Sequence, residues 1–182
     1  MSAVLAPFAP LARARAAAPL LEARLEPMTP ERLDAVLAIE QGVYSHPWTR
    51  GNFCDSLAGG HRALCLVAAP QGPGPAAGGE QVMGYFVALP GYREMHLLNI
   101  TVAPAFQRQG WALVLLDALE LAARAQRAEW LWLEVRVGNA RAQQLYLRRG
   151  FARVGLRKGY YPAGHGERED AVVMSLRLAE GA

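Results

Sequence analysis

Leu98-Asn99-Ile100-Thr101-Val102-Ala103-Pro104 leads, after Ala105 and Phe106, into Gln107-Arg108-Gln109-Gly110-Trp111-Ala112, and the stretch from here to Phe151 decides the fold. The first segment reads as a strand. The glycine-containing segment opens an apolar-periodic run that predicts a helix over 109–126, with Asp117, Glu120, Arg124 and Arg127 on its wet face. Leu131-Trp132-Leu133-Glu134-Val135 gives a second strand pattern, predicted over 129–137. Asn139 then starts a helix that carries Leu145-Tyr146 and closes at Gly150, a residue type suited to the position just past a helix end. A strand feeding a glycine-containing helix start is a place to bind an anion. The carboxylate of Glu134 and the phenol of Tyr146 lie just downstream. Together they suggest transfer chemistry on a phosphate-bearing compound.

Outside this stretch the pattern continues. Ala23 to Met28 predicts a first strand, with Pro27 confining its end to a sheet edge. Thr29 is placed as a helix N-cap with Pro30 at the first helical position. Leu33, Val36 and Leu37 recur on one face of that helix, and Glu40 is next on the same face. His46-Pro47-Trp48 turns into a second short helix capped by Thr49. Strands over 62–69 and 81–89 form a hairpin around a Pro/Gly/Ala tip, 70–79. Strands follow over 94–102, 151–161 and 171–178, the last two joined by a polar loop over 162–170. There is no internal repeat. The order β-α-α-β-β-β-α-β-α-β-β predicts the α/β class, a mixed (α+β) sheet with helices on its faces. The domain is expected over 23–182, preceded by a flexible extension over 1–22.

A chain of 182 residues with 52% apolar side chains is long and apolar enough for one sizeable core. The net charge is only +3, and Lys158 is the sole lysine. No clustered basic stripe is present, so direct nucleic-acid binding is not expected. Cys54 and Cys65 have neither metal-ligand spacing nor a disulfide framework, and both are expected to be small buried apolar residues. The best apolar run, Trp111 to Ala123, is interrupted by Asp117 and Glu120, so no membrane association is expected. The Ala/Pro-rich start lacks the layout of a secretory signal, and fits a bacterial-type extension better than an organelle transit peptide. A cytoplasmic location is expected. His165 has no partner at ligand spacing, so no metal is expected either.

Free N–H groups at a helix start, with the helix dipole, favour phosphate, and Gly110 and Ala112 let it approach the backbone closely. On spacing alone the glycine serves equally well to ease strand-to-helix packing, and the run matches neither a Walker nor a dinucleotide sequence. As a pattern, however, Gln107-x-x-Gly110-x-Ala112 after Ile100-Thr101-Val102-Ala103-Pro104 resembles the acetyl-coenzyme A motif of the GNAT acyltransferases. Further residues make the chain resemble the RimI-type ribosomal-protein alanine N-acetyltransferases within that superfamily. They are Glu40-Gln41, His46-Pro47-Trp48, Asn99-Ile100-Thr101-Val102, Trp132-Leu133-Glu134-Val135-Arg136, Asn139, Leu145-Tyr146 and Tyr160-Tyr161-Pro162. The resemblance runs from about Leu25 to Leu178 and leaves out the N-terminal tail. The hairpin tip looks like an insertion.

The resemblance implies a GNAT fold and acetyl-CoA as acetyl donor. Ile100, Thr101 and Val102 would hold the acetyl and pantetheine portions. Arg108, Gln109, Gly110, Trp111, Ala112 and Leu113 would hold the pyrophosphate, and Asn139 would touch the coenzyme. It further implies Glu134 as general base and Tyr146 as general acid, with Trp48, Tyr160 and Tyr161 near the acceptor. The acceptor would be the N-terminal α-amine of a ribosomal protein beginning with alanine, acetylated directly without an acyl-enzyme. The chemistry is consistent with this. An α-amine, with a pKa of about 7.7–8.0, must lose a proton before it attacks a thioester.

Read without the resemblance, these residues keep plainer alternatives. Glu134 shares a strand face with Trp130 and Trp132, which would desolvate it and raise its pKa. The same face carries Arg136, and a structural ion pair fits the residues better than a base. Tyr146 reads as a core residue and Asn139 as an N-cap. Glu40 reads as a hydrogen-bonded structural carboxylate, His46-Pro47-Trp48 as a packed turn, and His61 and His96 as strand-surface residues. The loop Gly164-His165-Gly166-Glu167 shapes the acceptor entrance or is a solvated turn. Two other functions stay open: a GNAT enzyme acting on small-molecule amines or protein lysines, and a non-catalytic acetyl-CoA sensor.

Overall fold

The computed structural model describes residues 22–68 and 80–178. The hairpin tip over 70–79, and all but the last residue of the expected N-terminal extension, lie outside the described residues. The elements are β1 (Ala23–Pro27), α1 (Leu33–Val43), α2 (Arg50–Ala58), β2 (Arg62–Ala68), β3 (Gln81–Gly91), β4 (Glu94–Val102), α3 (Trp111–Ala125), β5 (Trp130–Arg136), α4 (Ala140–Arg148), β6 (Ala152–Pro162) and β7 (Arg168–Arg177). This is the order the sequence predicts, in the expected mixed-sheet class.

The boundaries that differ do so for local reasons. α3 starts at Trp111 rather than Gln109, because Arg108 (φ 62°) and Gly110 (φ 91°) take left-handed backbone that a helix cannot continue through. Thr29 makes no capping bond. Pro30–Arg32 forms a 3-10 turn first, and α1 begins after it. Thr49 does cap α2, in a reciprocal capping box with Asn52. β6 and β7 run further toward each other than expected, leaving only a short connection with a 3-10 turn at Gly164–Gly166.

The seven strands form one sheet in the order β1-β2-β3-β4-β5-β7-β6. All neighbours are antiparallel except β4 and β5, which are parallel and connected through α3. One face packs on α3 and α4: Leu115, Leu116, Leu119 and Ala123 of α3 meet Phe86, Met95, Leu97, Leu131, Leu133 and Met174. Each fully buried leucine contributes about 1.5–3 kcal/mol by leaving water. The other face is covered over β2 and β3 by Leu33, Val36, Ile39 and Phe53 from α1 and α2. Cys65 is buried there, and burial pushes its thiol up to about 12. Cys54, expected to be buried, is exposed. α2 turns Phe53 and Ser56 inward, and the next residue round the helix falls on the wet side.

Gly84 faces Val102 across the β3–β4 pair. A Cβ there would lie 2.6 Å from the Thr101 carbonyl oxygen and 3.2 Å from Leu115. Only glycine lets β4 sit this close beneath α3, and that closeness fixes where the next part of β4 goes.

Candidate active site

β4 and β5 pair only from Glu94↔Trp130 to Leu97↔Leu133. At that point β4 carries a bulge: Val87 of β3 faces Asn99 while Ala88 faces Leu97, so Leu98 is the extra residue. Beyond it the two strands diverge. Each keeps its outer neighbour, β4 on β3 through Val102 and β5 on β7 through Arg136. The ladder alternation, with Ala103 N–H bonded to the Met83 carbonyl at 2.8 Å, turns the backbone groups of Ile100 and Val102 toward the gap. Side chains meet both carbonyls. The Tyr44 hydroxyl donates to Ile100 (3.3 Å) and the Gln107 amide donates to Val102 (3.1 Å).

One cavity of about 620 Å³ opens between the end of β4, the start of α3 and α4. Ile100, Thr101, Val102, Arg108, Gly110, Trp111, Ala112, Leu113 and Asn139 all line it. Gly110 is the N-cap of α3 but supplies no side-chain cap, so the helix start keeps donors for a ligand. A Cβ on Gly110 would meet nothing within 4 Å; it would project into open space. Gln109, expected among the ligand-holding residues, is not on this wall. Its amide donates to the Ala105 carbonyl (3.1 Å) and its oxygen accepts from Trp111 Nε1 (3.3 Å), which braces the loop. Free helix-start N–H groups, a left-handed glycine and a cationic rim suit a diphosphate, so the donor set fits acetyl-CoA.

A second cavity of about 370 Å³ lies on the other side of the gap, and Asn139 and Tyr146 belong to both. Glu134, Glu40, Tyr44, His46, Trp48 and Tyr161 line it. Glu40 is buried and accepts from Trp48 N–H (2.8 Å), Asn99 Nδ2 (3.2 Å) and the Tyr85 hydroxyl, in agreement with a structural carboxylate. Trp48 packs on Phe53, ring centroids 5.3 Å apart. Tyr161 donates to the Glu134 carbonyl at 2.9 Å. Tyr160 stands edge-on to Tyr161 and is 40% exposed, at the rim rather than on the wall.

The Glu134 side chain is only 11% exposed, and its carboxylate lies 3.2 Å from Arg157. The alternative pairing with Arg136 does not form. Arg136 instead donates to Glu169 (2.9 Å) and to the Pro162 carbonyl (3.1 Å), and stacks over Tyr161 at 4.5 Å. Residues two apart on a strand stand about 7 Å apart, so cations and carboxylates arriving from β6 and β7 win.

Tyr146 is buried, and burial raises its hydroxyl well above the usual phenol range. Its position is set by the end of α4. Phe151 N–H bonds to the Tyr146 carbonyl and Gly150 N–H to that of Leu147, both at 3.0 Å, with Gly150 at φ 99°. This is a Schellman motif, and its hydrophobic contact is the Tyr146–Phe151 ring pair at 5.7 Å. The start of α4 is fixed as well. Asn139 caps it by accepting from Ala142 N–H (3.1 Å), and Glu169 accepts from Gly138 N–H (2.7 Å). Those donors, Gly138 first and Arg136 second, hold the Glu169 carboxyl below the usual range. Glu169 thus ties the β6–β7 hairpin to the turn before α4.

Sequence reading did not single out Tyr44, Glu169, Arg157, Arg141 or Arg148. Tyr44 follows Glu40 by four residues, a spacing that shares a helix face and was available as a signal. Arg141 and Arg148, seven apart on α4, line the larger cavity. Glu169 and Arg157 had no local signal, because their partners lie on other strands.

Residues 33–151 match the pattern of the Acetyltransferase (GNAT) family, well over half the chain. A [ribosomal protein bS18]-alanine N-acetyltransferase of Haemophilus ducreyi is 34% identical over 154 residues, covering 85% of this chain and 99% of that protein. Its namesake in Escherichia coli is 35% identical over 147 residues, 81% of this chain and 92% of the other. The crystal structure of the ribosomal-protein-S18-alanine N-acetyltransferase from Escherichia coli superposes with a TM-score of 0.74 at 28% identity, over 88% of this chain and 97% of that one. The split between β4 and β5, the glycine-started α3 and these likenesses agree: the chain belongs to the GNAT family of acetyltransferases, acyltransferases that draw on acetyl-CoA.

Proposed function

We propose that this enzyme acetylates the N-terminal α-amine of a ribosomal protein that begins with alanine, in the cytoplasm, with residues 23–182 as the catalytic domain. The observation that carries the reading is the meeting of two cavities at the end of β4, with Tyr146 on the wall of both. Relatives matched over nearly their whole length bear the name of bS18-alanine N-acetyltransferases, which supports the acceptor class. Among the described residues no helix is long and apolar enough to cross a membrane.

In this reading the larger cavity binds the donor. Arg108 and the backbone from Gly110 to Leu113 hold its diphosphate, Ile100 to Val102 hold its pantetheine and acetyl portions, and Asn139 closes the side toward α4. When bound, acetyl-CoA supplies an acetyl thioester. N–H groups of β4 facing the gap stabilise negative charge at the acetyl oxygen. Glu134, largely screened from solvent, takes the proton of the acceptor ammonium. Tyr146 keeps its proton at neutral pH and gives it to the departing thiolate. Trp48, Tyr161 and, at the rim, Tyr160 shape the acceptor path.

The test is acetyl transfer to three acceptors: an Ala-starting peptide, the same peptide with a blocked terminus and a lysine, and a small primary amine. Transfer confined to the free Ala terminus is expected. Equal or faster turnover on the lysine peptide or the small amine overturns the acceptor assignment. Mass spectrometry of ribosomal proteins from a deletion strain gives the cellular readout, where one lost N-terminal acetyl group is expected.

A further inference from the structure

Among the described residues at least seven arginines lie against carboxylates, among them Arg136 on Glu169, Arg149 on Asp117 and Glu120, and Arg157 on Glu134. Arg108, Arg141 and Arg148 do not. All three are exposed and line the larger cavity, and among the described residues no carboxylate lies within salt-bridge distance of them. Among the described residues Arg62, Arg127, Arg153, Lys158, Arg168 and Arg177 also have no carboxylate at that distance, but none of them lines either cavity; the three without a partner that do are gathered on one cleft.

The three are not placed alike. Arg108 sits in the loop before α3, beside the helix-start donors that suit a diphosphate. Arg141 and Arg148 sit on α4, two turns apart on one face, about 10 Å along the axis. Helix stability does not account for the pair. Arg148 in the last turn suits the helix dipole, but Arg141 in the first turn opposes it. A cation kept where it costs the helix stability, facing a cleft and lacking a carboxylate partner, points to an anion supplied by the ligand. One diphosphate already has its donors at α3. The α4 pair calls for a second, separate phosphate, and a monoester carries close to two negative charges at neutral pH.

We infer that Arg141 and Arg148 form a subsite for the ribose 3′-phosphate of the acetyl donor, making the enzyme selective for acetyl-CoA over acetyl-dephospho-CoA. The inference rests on the acetyl-CoA reading above and goes beyond it by dividing the donor's phosphates between two elements. α3 takes the diphosphate that both donors share, and α4 takes the monoester that only one has.

The experiment is a thermodynamic cycle. The KM of each donor is measured for the wild type, R141Q, R148Q and the double variant, with the same Ala-starting peptide. In the wild type, removal of the 3′-phosphate raises the donor KM about tenfold or more, the scale of a charge-assisted interaction. The double variant raises the KM of acetyl-CoA to near the dephospho value, while the KM of the dephospho donor moves less than about twofold. Both side chains are exposed, so thermal melts stay within a degree or two of wild type. Two results overturn the subsite: a wild type that uses both donors with equal KM, or variants that weaken both donors equally, as a general positive field would. The acetyl-CoA reading itself fails differently, by absence of transfer from either donor and of coenzyme A binding in calorimetry, and the subsite falls with it.

Discussion

The two cavities that meet at the end of β4 are built from different materials. The larger one has arginines on its rim and, at its centre, exposed backbone and the conformations that expose it: the strand edge at Ile100 and Val102, the left-handed Gly110, the uncapped start of α3. The smaller one is made of side chains that hold one another: Glu40 with Trp48, Asn99 and Tyr85, Glu134 with Arg157, and Tyr161 with Arg136 and Glu169. A backbone site accepts one ligand chemistry and resists most substitutions. A side-chain site is retuned by single changes.

That contrast can be broken by substitution. The largest effect is expected from Glu134→Gln and Tyr146→Phe. Each should lower kcat about 10²–10⁴-fold while the acetyl-CoA KM stays within a few-fold. If Tyr146→Phe keeps full kcat in steady-state assays, the tyrosine is core filling and the proton-donor role is lost. Because burial raises the Tyr146 pKa, its hydroxyl stays protonated beyond the ordinary phenol value of about 10. No fall in wild-type kcat should therefore arise from its ionisation below that pH.

Next in size is Gly84→Ala, which drives a Cβ against the Thr101 carbonyl oxygen. Forcing β3 and β4 apart should cost about 1–3 kcal/mol in urea unfolding, and both substrates' KM values should rise, because both cavities share this wall. An unchanged midpoint would mean that the strands yield freely. Gly110→Ala is subtler. It meets no protein atom, but its φ of 91° strains an alanine by about 1–2 kcal/mol, and the methyl enters the cleft. The acetyl-CoA KM should rise about tenfold with little change in the acceptor KM; the reverse pattern would exchange the two cavities.

The smallest effect belongs to Glu169→Gln. Its hydrogen bonds to Gly138 and Arg136 should stabilise the fold by about 1 kcal/mol or less at pH 7. The folded carboxyl titrates below the unfolded value of about 4.3. The stabilisation is therefore fully present above that value and is lost as pH falls through the lowered one. The difference in unfolding free energy between wild type and variant should shrink at pH 3; a constant difference would remove the charge from the account.

The same contrast explains what could be read in advance. Gln107 to Ala112 is one continuous run, so its resemblance to an acetyl-coenzyme A motif was legible in six residues, and the strand and helix periods around it gave the order of elements along the chain. Even there, the side chain of Gln109 folds back along the exposed loop to brace it, a matter of rotamer and not of pattern. The smaller cavity draws Glu40, Trp48, Glu134 and Tyr161 from separate elements, and the ion pairs around it were not legible. Spacing offered Arg136 as the partner of Glu134, but Arg157 comes from a strand two places away. The Leu98 bulge was equally hidden, since an extra residue in a strand shows only against its partner.

That bulge has a consequence for timing. Past Leu98, β4 and β5 are each stitched to an outer neighbour and owe nothing to each other. The gap between them is consequently a permanent slot and not a seam that must be opened. The order that holds the slot open is set when the chain folds, because each wall is hydrogen-bonded to its outer neighbour before any ligand arrives.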